Sequence, residues 1–84
     1  MPTLARFYGI VIRIYFLGSE HNPPHVHATY SENEASFDIS TGRIIDGTMP
    51  SRVAEMVKEW ISLNRVELLD MWETQEFKKL GPFE

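Results

Sequence analysis

A chain of 84 residues has room for one domain over 1–84, with a hydrophobic core only just large enough to hold it together. Hydrophobic residues at 43% and charged residues at 24% set it apart from disordered chains, and the lack of cysteine excludes disulfides, thiolate metal sites and cysteine nucleophiles. The net charge of −4, with eight scattered basic residues, provides no electrostatic footprint for duplex DNA and leaves RNA open.

Residues 7–17, FYGIVIRIYFL, are rich in β-branched and aromatic side chains. They predict one long first strand with Tyr8, Ile10, Ile12, Ile14 and Phe16 on its buried face and Gly9 marking a bulge or a close backbone approach. Arg13 interrupts this stretch. It is too short to cross a bilayer and lacks the cleavage pattern of a secretory signal, so a cytoplasmic protein with no membrane contact is expected. The GSEHNPP segment that follows ends the ladder, because two prolines remove backbone donors.

From His25 the alternation resumes, with His25, His27 and Thr29 on one side and Val26, Ala28 and Tyr30 on the other. A partner run over 35–39 groups Ala35, Phe37 and Ile39. Pairing the apolar sets across a turn at 31–34 sets Ala28 opposite Phe37, Val26 opposite Ile39 and His27 opposite Asp38. A second turn at 40–42 leads to a short strand over 43–46, in which Ile44 faces Ile39.

After Gly47 the period becomes helical. Pro50 falls in the first turn, and Val53, Met56, Val57, Trp60 and Ile61 form an apolar stripe. Asn64 followed by Glu67 matches an N-cap with an acid three positions on, predicting re-entry into a second helix over 65–77 that stops at Lys78, Lys79, Gly81 and Pro82. That helix carries Val66, Leu68, Leu69, Met71, Trp72 and Phe77 on more than one face. Val66, Met71 and Phe77, or the meander edge, are therefore expected to meet a second copy or a small protein partner. Trp60 and Trp72 read as core anchors, and so do Tyr8 and Phe16. The expected fold is α+β: a three- to four-stranded antiparallel meander with two C-terminal helices on the face bearing Ile10, Ile12, Ile14, Val26, Ala28, Phe37 and Ile39, and with the histidine face open.

All three histidines lie in one run of seven residues, His21-Asn22-Pro23-Pro24-His25-Val26-His27. Histidines at i and i+2 on a strand project to one side, and neutral imidazole ligates zinc, nickel and iron. The candidate metal ligands are His21, His25, His27 and Asp38, with Glu20 and Glu34 weaker, and the candidate cofactor is a divalent zinc or nickel ion. A metal-free reading uses His25 and His27 as general acid and base on a phosphodiester, with Arg13 or Arg43 stabilising the phosphorane. The plainest reading makes both histidines polar surface groups bonded to Asp38, Thr29 or Tyr15. Ser36, Ser40 and Ser51 lack a glycine-flanked elbow, and whether the chain is an enzyme stays open.

The residues RFYGIVIRIYF, HNPPHVH, A-x-F-D-I, TGRIIDG, MPSRVAEMVKEW and NRVELLDMW together resemble the domain of unknown function 4160 family of short prokaryotic proteins, from Pro2 to about Trp72. Val26 stands where that family usually has phenylalanine, Met49 where it has leucine, and Asn64 where a histidine is common. Asn64 thus removes an extra ligand from the helical side. Family members are frequently encoded beside a second small protein, an arrangement suggesting toxin and antitoxin pairs. The resemblance therefore implies a partner-binding component of a two-gene pair with the histidine cluster as its functional site. The alternative is a free-standing metal-binding or metal-dependent hydrolytic domain.

Overall fold

The computed structural model describes residues 3–14, 23–76 and 80–81. Five strands form one antiparallel sheet in chain order: β1 (Thr3–Phe7), β2 (Ile10–Arg13), β3 (His25–Tyr30), β4 (Asn33–Asp38) and β5 (Ile44–Gly47). One helix, α1 (Ser51–Thr74), follows. The fold is α+β, with five strands where the sequence predicts three to four and one helix where it predicts two.

The extra strand comes from a turn inside the stretch expected to be continuous. Tyr8 (φ 51) and Gly9 (φ 79) are both left-handed, the backbone that a two-residue type I′ hairpin turn requires. The chain therefore reverses between Phe7 and Ile10, which sit opposite each other. Tyr8 lies at the exposed tip, not in the core. A bulge between Thr3 and Ala5 lets consecutive residues Leu4 and Ala5 both turn inward, so β1 shows no clean alternation.

The β3–β4 register differs from expectation by two residues. Val26 pairs with Phe37, Ala28 with Ala35, His27 with Ser36 and His25 with Asp38. The cause is the tight turn at Ser31 and Glu32, with Ser31 at φ 54, where a longer loop was expected. A slip of two keeps every side chain on its expected face. Ile44 faces Phe37, not Ile39, beside an irregularity in the β4–β5 ladder.

The core joins Ile10, Ile12, Ile14, Val26, Ala28, Phe37 and Ile39 of the sheet layer to Val53, Val57, Trp60, Ile61, Leu68 and Met71 of α1. Helix α1 runs through Asn64, whose φ of −119 and ψ of 16 are non-helical. Its side-chain Nδ2 donates to the Trp60 carbonyl at 2.9 Å, and a side chain inserted into the i to i−4 ladder kinks a helix without ending it. The residue expected to cap a second helix thus bends a single one. Gln75, left-handed at φ 61, closes α1 through its N–H on the Met71 carbonyl, before the predicted end at Phe77.

Just past the kink, Arg65 Nε donates to the Ile39 carbonyl at 2.8 Å, and the Ile39 N–H donates to the Pro24 carbonyl at 2.9 Å. The second half of α1 is thereby tied to the sheet end where β3 begins. Arg65→Ala is expected to lower stability by about 1.5–3 kcal/mol, the range for a hydrogen bond to a charged group. A urea midpoint unchanged from the parent would show that this tie carries no weight.

Candidate functional site

The sheet places His25 and His27 on the face opposite Val26 and Ala28. Their rings meet edge to face, with centroids 5.1 Å apart and planes at 68°. His25 Nδ1 lies 2.8 Å from the Pro23 carbonyl oxygen. A carbonyl only accepts, so Nδ1 carries the proton and the neutral ring keeps its lone pair on Nε2. Pro24, whose carbonyl accepts from Ile39, fixes this bend against the end of β4. The diproline thus sets the tautomer of His25.

His25 does not stand open, as expected of that face. It is 6% exposed, and the indole of Trp72 lies 5.0 Å from it, centroid to centroid. Trp72 stands two residues ahead of the helix end at Thr74, past the non-helical Asn64. Sequence reasoning missed this contact, since nothing in a periodic pattern links residue 72 to residue 25. His27 is half-buried, with Ser36 Oγ 3.3 Å from its Nδ1. Ser36 replaces Asp38 as the cross-strand neighbour of His27, and only the two-residue error in register hid it.

Asp38 pairs with His25 across the ladder, but its Oδ1 accepts from the backbone N–H of Ser40 at 2.7 Å and of Thr41 at 3.3 Å. That carboxylate oxygen holds the turn into β5. Among the described residues no three histidine, aspartate or glutamate side chains come together to hold a metal ion. His21 and Glu20 lie outside the described residues. Of the two candidate phosphorane partners, Arg13 sits directly opposite His27 on β2. Arg43 instead lines a shallow groove with Glu55 and Lys58 of α1.

Of the three residues expected to meet a partner, Val66 is exposed at 79%, whereas Met71 is 2% exposed and belongs to the chain's own core. Phe77 lies outside the described residues. Among the described residues no helix is long and apolar enough to cross a membrane.

A family model described as a domain of unknown function, DUF4160, matches residues 9–73, and the chain belongs to that family. No curated protein and no solved structure matches the chain.

Proposed function

We propose that this DUF4160 member is the partner-binding component of a two-protein pair of the toxin and antitoxin kind, and that the His25–His27 pair is its working site. The observation that carries this reading is the Nδ1 bond of His25 to the Pro23 carbonyl. A base, an acid or a ligand needs a fixed tautomer with a defined lone pair, and this bond leaves that lone pair on Nε2. The Trp72 and His27 rings on either hand of His25 hold it in one orientation, as a preorganised site requires.

A partner is favoured by the outer face of α1. Leu63 and Val66 are 64% and 79% exposed, and exposed Glu59, Asp70 and Glu73 share their stripe at helical spacing. An apolar pair ringed by acids suits a partner with basic side chains around an apolar anchor.

The test is to express the chain in a bacterial host with and without the protein encoded beside it. Growth arrest by the chain alone, relief by the neighbour and co-purification of the two are expected. The His25→Ala, His27→Ala double variant should still bind the neighbour but no longer arrest growth. Arrest undiminished in that variant would remove the histidine site from the reading, and failure of the two proteins to associate would remove the pair.

The alternative is a metal-binding or metal-dependent hydrolytic domain. It is supported by the same bond, because metal-ligating histidines commonly donate their second ring nitrogen to a carbonyl. On this reading zinc or nickel bound to the purified chain resists dialysis and is lost on His25→Ala. Elemental analysis showing no difference between parent and variant would contradict it.

A further inference from the structure

The two edges of the sheet, β1 and β5, end differently. At β1 the chain's own tail closes in, with the Leu80 N–H donating to the Leu4 carbonyl at 3.0 Å. Among the described residues no backbone bond reaches the outer side of β5, and all four of its residues are exposed. Sheet edges are commonly protected by lysine or proline, and the IIDG of β5 contains neither. It presents Ile44 and Ile45 to solvent, 36% and 45% exposed.

The irregularity in the β4–β5 ladder decides which peptide groups face outward. The Arg43 carbonyl accepts from the Asp38 N–H at 2.8 Å, and the Thr48 N–H donates to the Glu34 carbonyl at 3.2 Å, so both residues bond inward, toward β4. Inward and outward bonding alternate along a strand. Counting from Arg43, Ile44 faces outward, and counting back from Thr48, so does Ile45. Consecutive residues can do this because Ile45 is the extra residue between Ile44, opposite Phe37, and Asp46, opposite Ser36. Two copies of an evenly alternating strand, related by a two-fold axis, pair only residues an even number of positions apart. Here the extra residue lets Ile44 pair with Ile45 of a second copy.

In that register Arg43 stands opposite Asp46 of the second copy, and Asp46 opposite its Arg43. The faces agree as well. Asp46 shares the face of Ser36, and Arg43, one residue before Ile44, falls on the same face by alternation. The run Thr41-Gly42-Arg43-Ile44-Ile45-Asp46-Gly47-Thr48, laid against itself in reverse, sets threonine on threonine, glycine on glycine, arginine on aspartate and isoleucine on isoleucine. Opposite charges and β-branched side chains directly across a ladder both stabilise the pair.

We propose that this chain forms a homodimer through β5, two five-stranded sheets joining edge to edge across a two-fold axis. The pairing uses neither the histidine pair nor the outer face of α1, so it stands whether or not the proposed function does.

Sedimentation equilibrium of the full chain from about 10 µM to 1 mM, where small interfaces associate, is expected to show a reversible dimer. Ile45→Lys sets a charge into the paired row and should weaken the dimer about ten-fold or more. Arg43→Asp places aspartate opposite aspartate and Asp46→Arg places arginine opposite arginine, and each should weaken it likewise. Mixed one to one, the two charge variants restore both opposite-sign pairs and should recover a heterodimer of near-parental affinity. Because that mixture contains no parent, its dimer also shows that both variants fold. A parent that stays monomeric over the whole range, variants as dimeric as the parent, or a mixture that stays monomeric would each overturn the proposal.

Discussion

Replacing Trp60 by alanine is expected to cost about 3–5 kcal/mol, the range for truncating a buried aromatic side chain. Trp60 is fully buried, stacks on Phe7 with centroids 6.1 Å apart, and donates from Nε1 to the Gly81 carbonyl at 3.0 Å. It therefore joins α1 to β1 and also holds residues 80–81 in place, where the Leu80 N–H donates to the Leu4 carbonyl at 3.0 Å. Truncation opens a cavity at the centre of the core and removes the donor to Gly81 in one step. Small domains have only about 5–15 kcal/mol of stability in total, so the variant should be largely or wholly unfolded at 37 °C. Trp60→Phe keeps most of the ring and loses the N–H, and should fall by about 1–3 kcal/mol. Chemical denaturation of both variants checks the order. An alanine variant that melts with the parent would mean that Trp60 is not the anchor of the helix on the sheet.

Gly47→Ala is expected to be nearly as damaging, although position 47 is exposed and carries no side chain. Gly47 has φ +85 and pairs with Ala35. A Cβ there would press on the Glu34 carbonyl oxygen and come within 2.9 Å of the Ala35 Cα. Both are backbone atoms of the neighbouring strand, so neither can rotate away. The left-handed backbone alone costs about 1–2 kcal/mol for a residue with a Cβ, and a clash that must be relieved by moving β5 adds roughly 1–3 kcal/mol. The Thr48 N–H bond to the Glu34 carbonyl, 3.2 Å long, would be strained with it. Gly81→Ala, where a Cβ meets nothing within 4 Å, is the control and should change little. Equal stability of Gly47→Ala and the parent would show that β5 pairs otherwise than described.

Alternation alone was enough to place Ile10, Ile12, Ile14, Val26, Ala28, Phe37 and Ile39 in the core, where all are buried, and to put His25 and His27 on the other face. Parity survives an error of two in register. Distance across the ladder does not, so Asp38 was expected beside His27 and Ser36 takes its place. The misread elements share a cause, which is backbone geometry imposed on residues with no propensity for it. An aromatic residue at φ 51 forms the first hairpin turn and a serine at φ 54 the second, where Asn-Gly or Asp-Gly would have been readable. At Asn64 the signal for a break was present, and it marks a bend because the side chain bonds backward to Trp60 instead of capping forward. The half of the site that was illegible comes from α1. Trp72 meets His25 from a helix that bends at Asn64 and is tied to Ile39 by Arg65.

On the proposed function, His25 and His27 act as one site whose geometry the diproline sets. Long-range ¹H–¹⁵N spectra of the imidazole rings near neutral pH test it most directly. The predicted result is neutral His25 in the Nδ1–H form, with a ring proton slow to exchange, and displacement of the His27 ring resonances on His25→Ala. A His25 ring protonated at Nε2 in the neutral form, or a His27 spectrum that His25→Ala leaves unmoved, would contradict it.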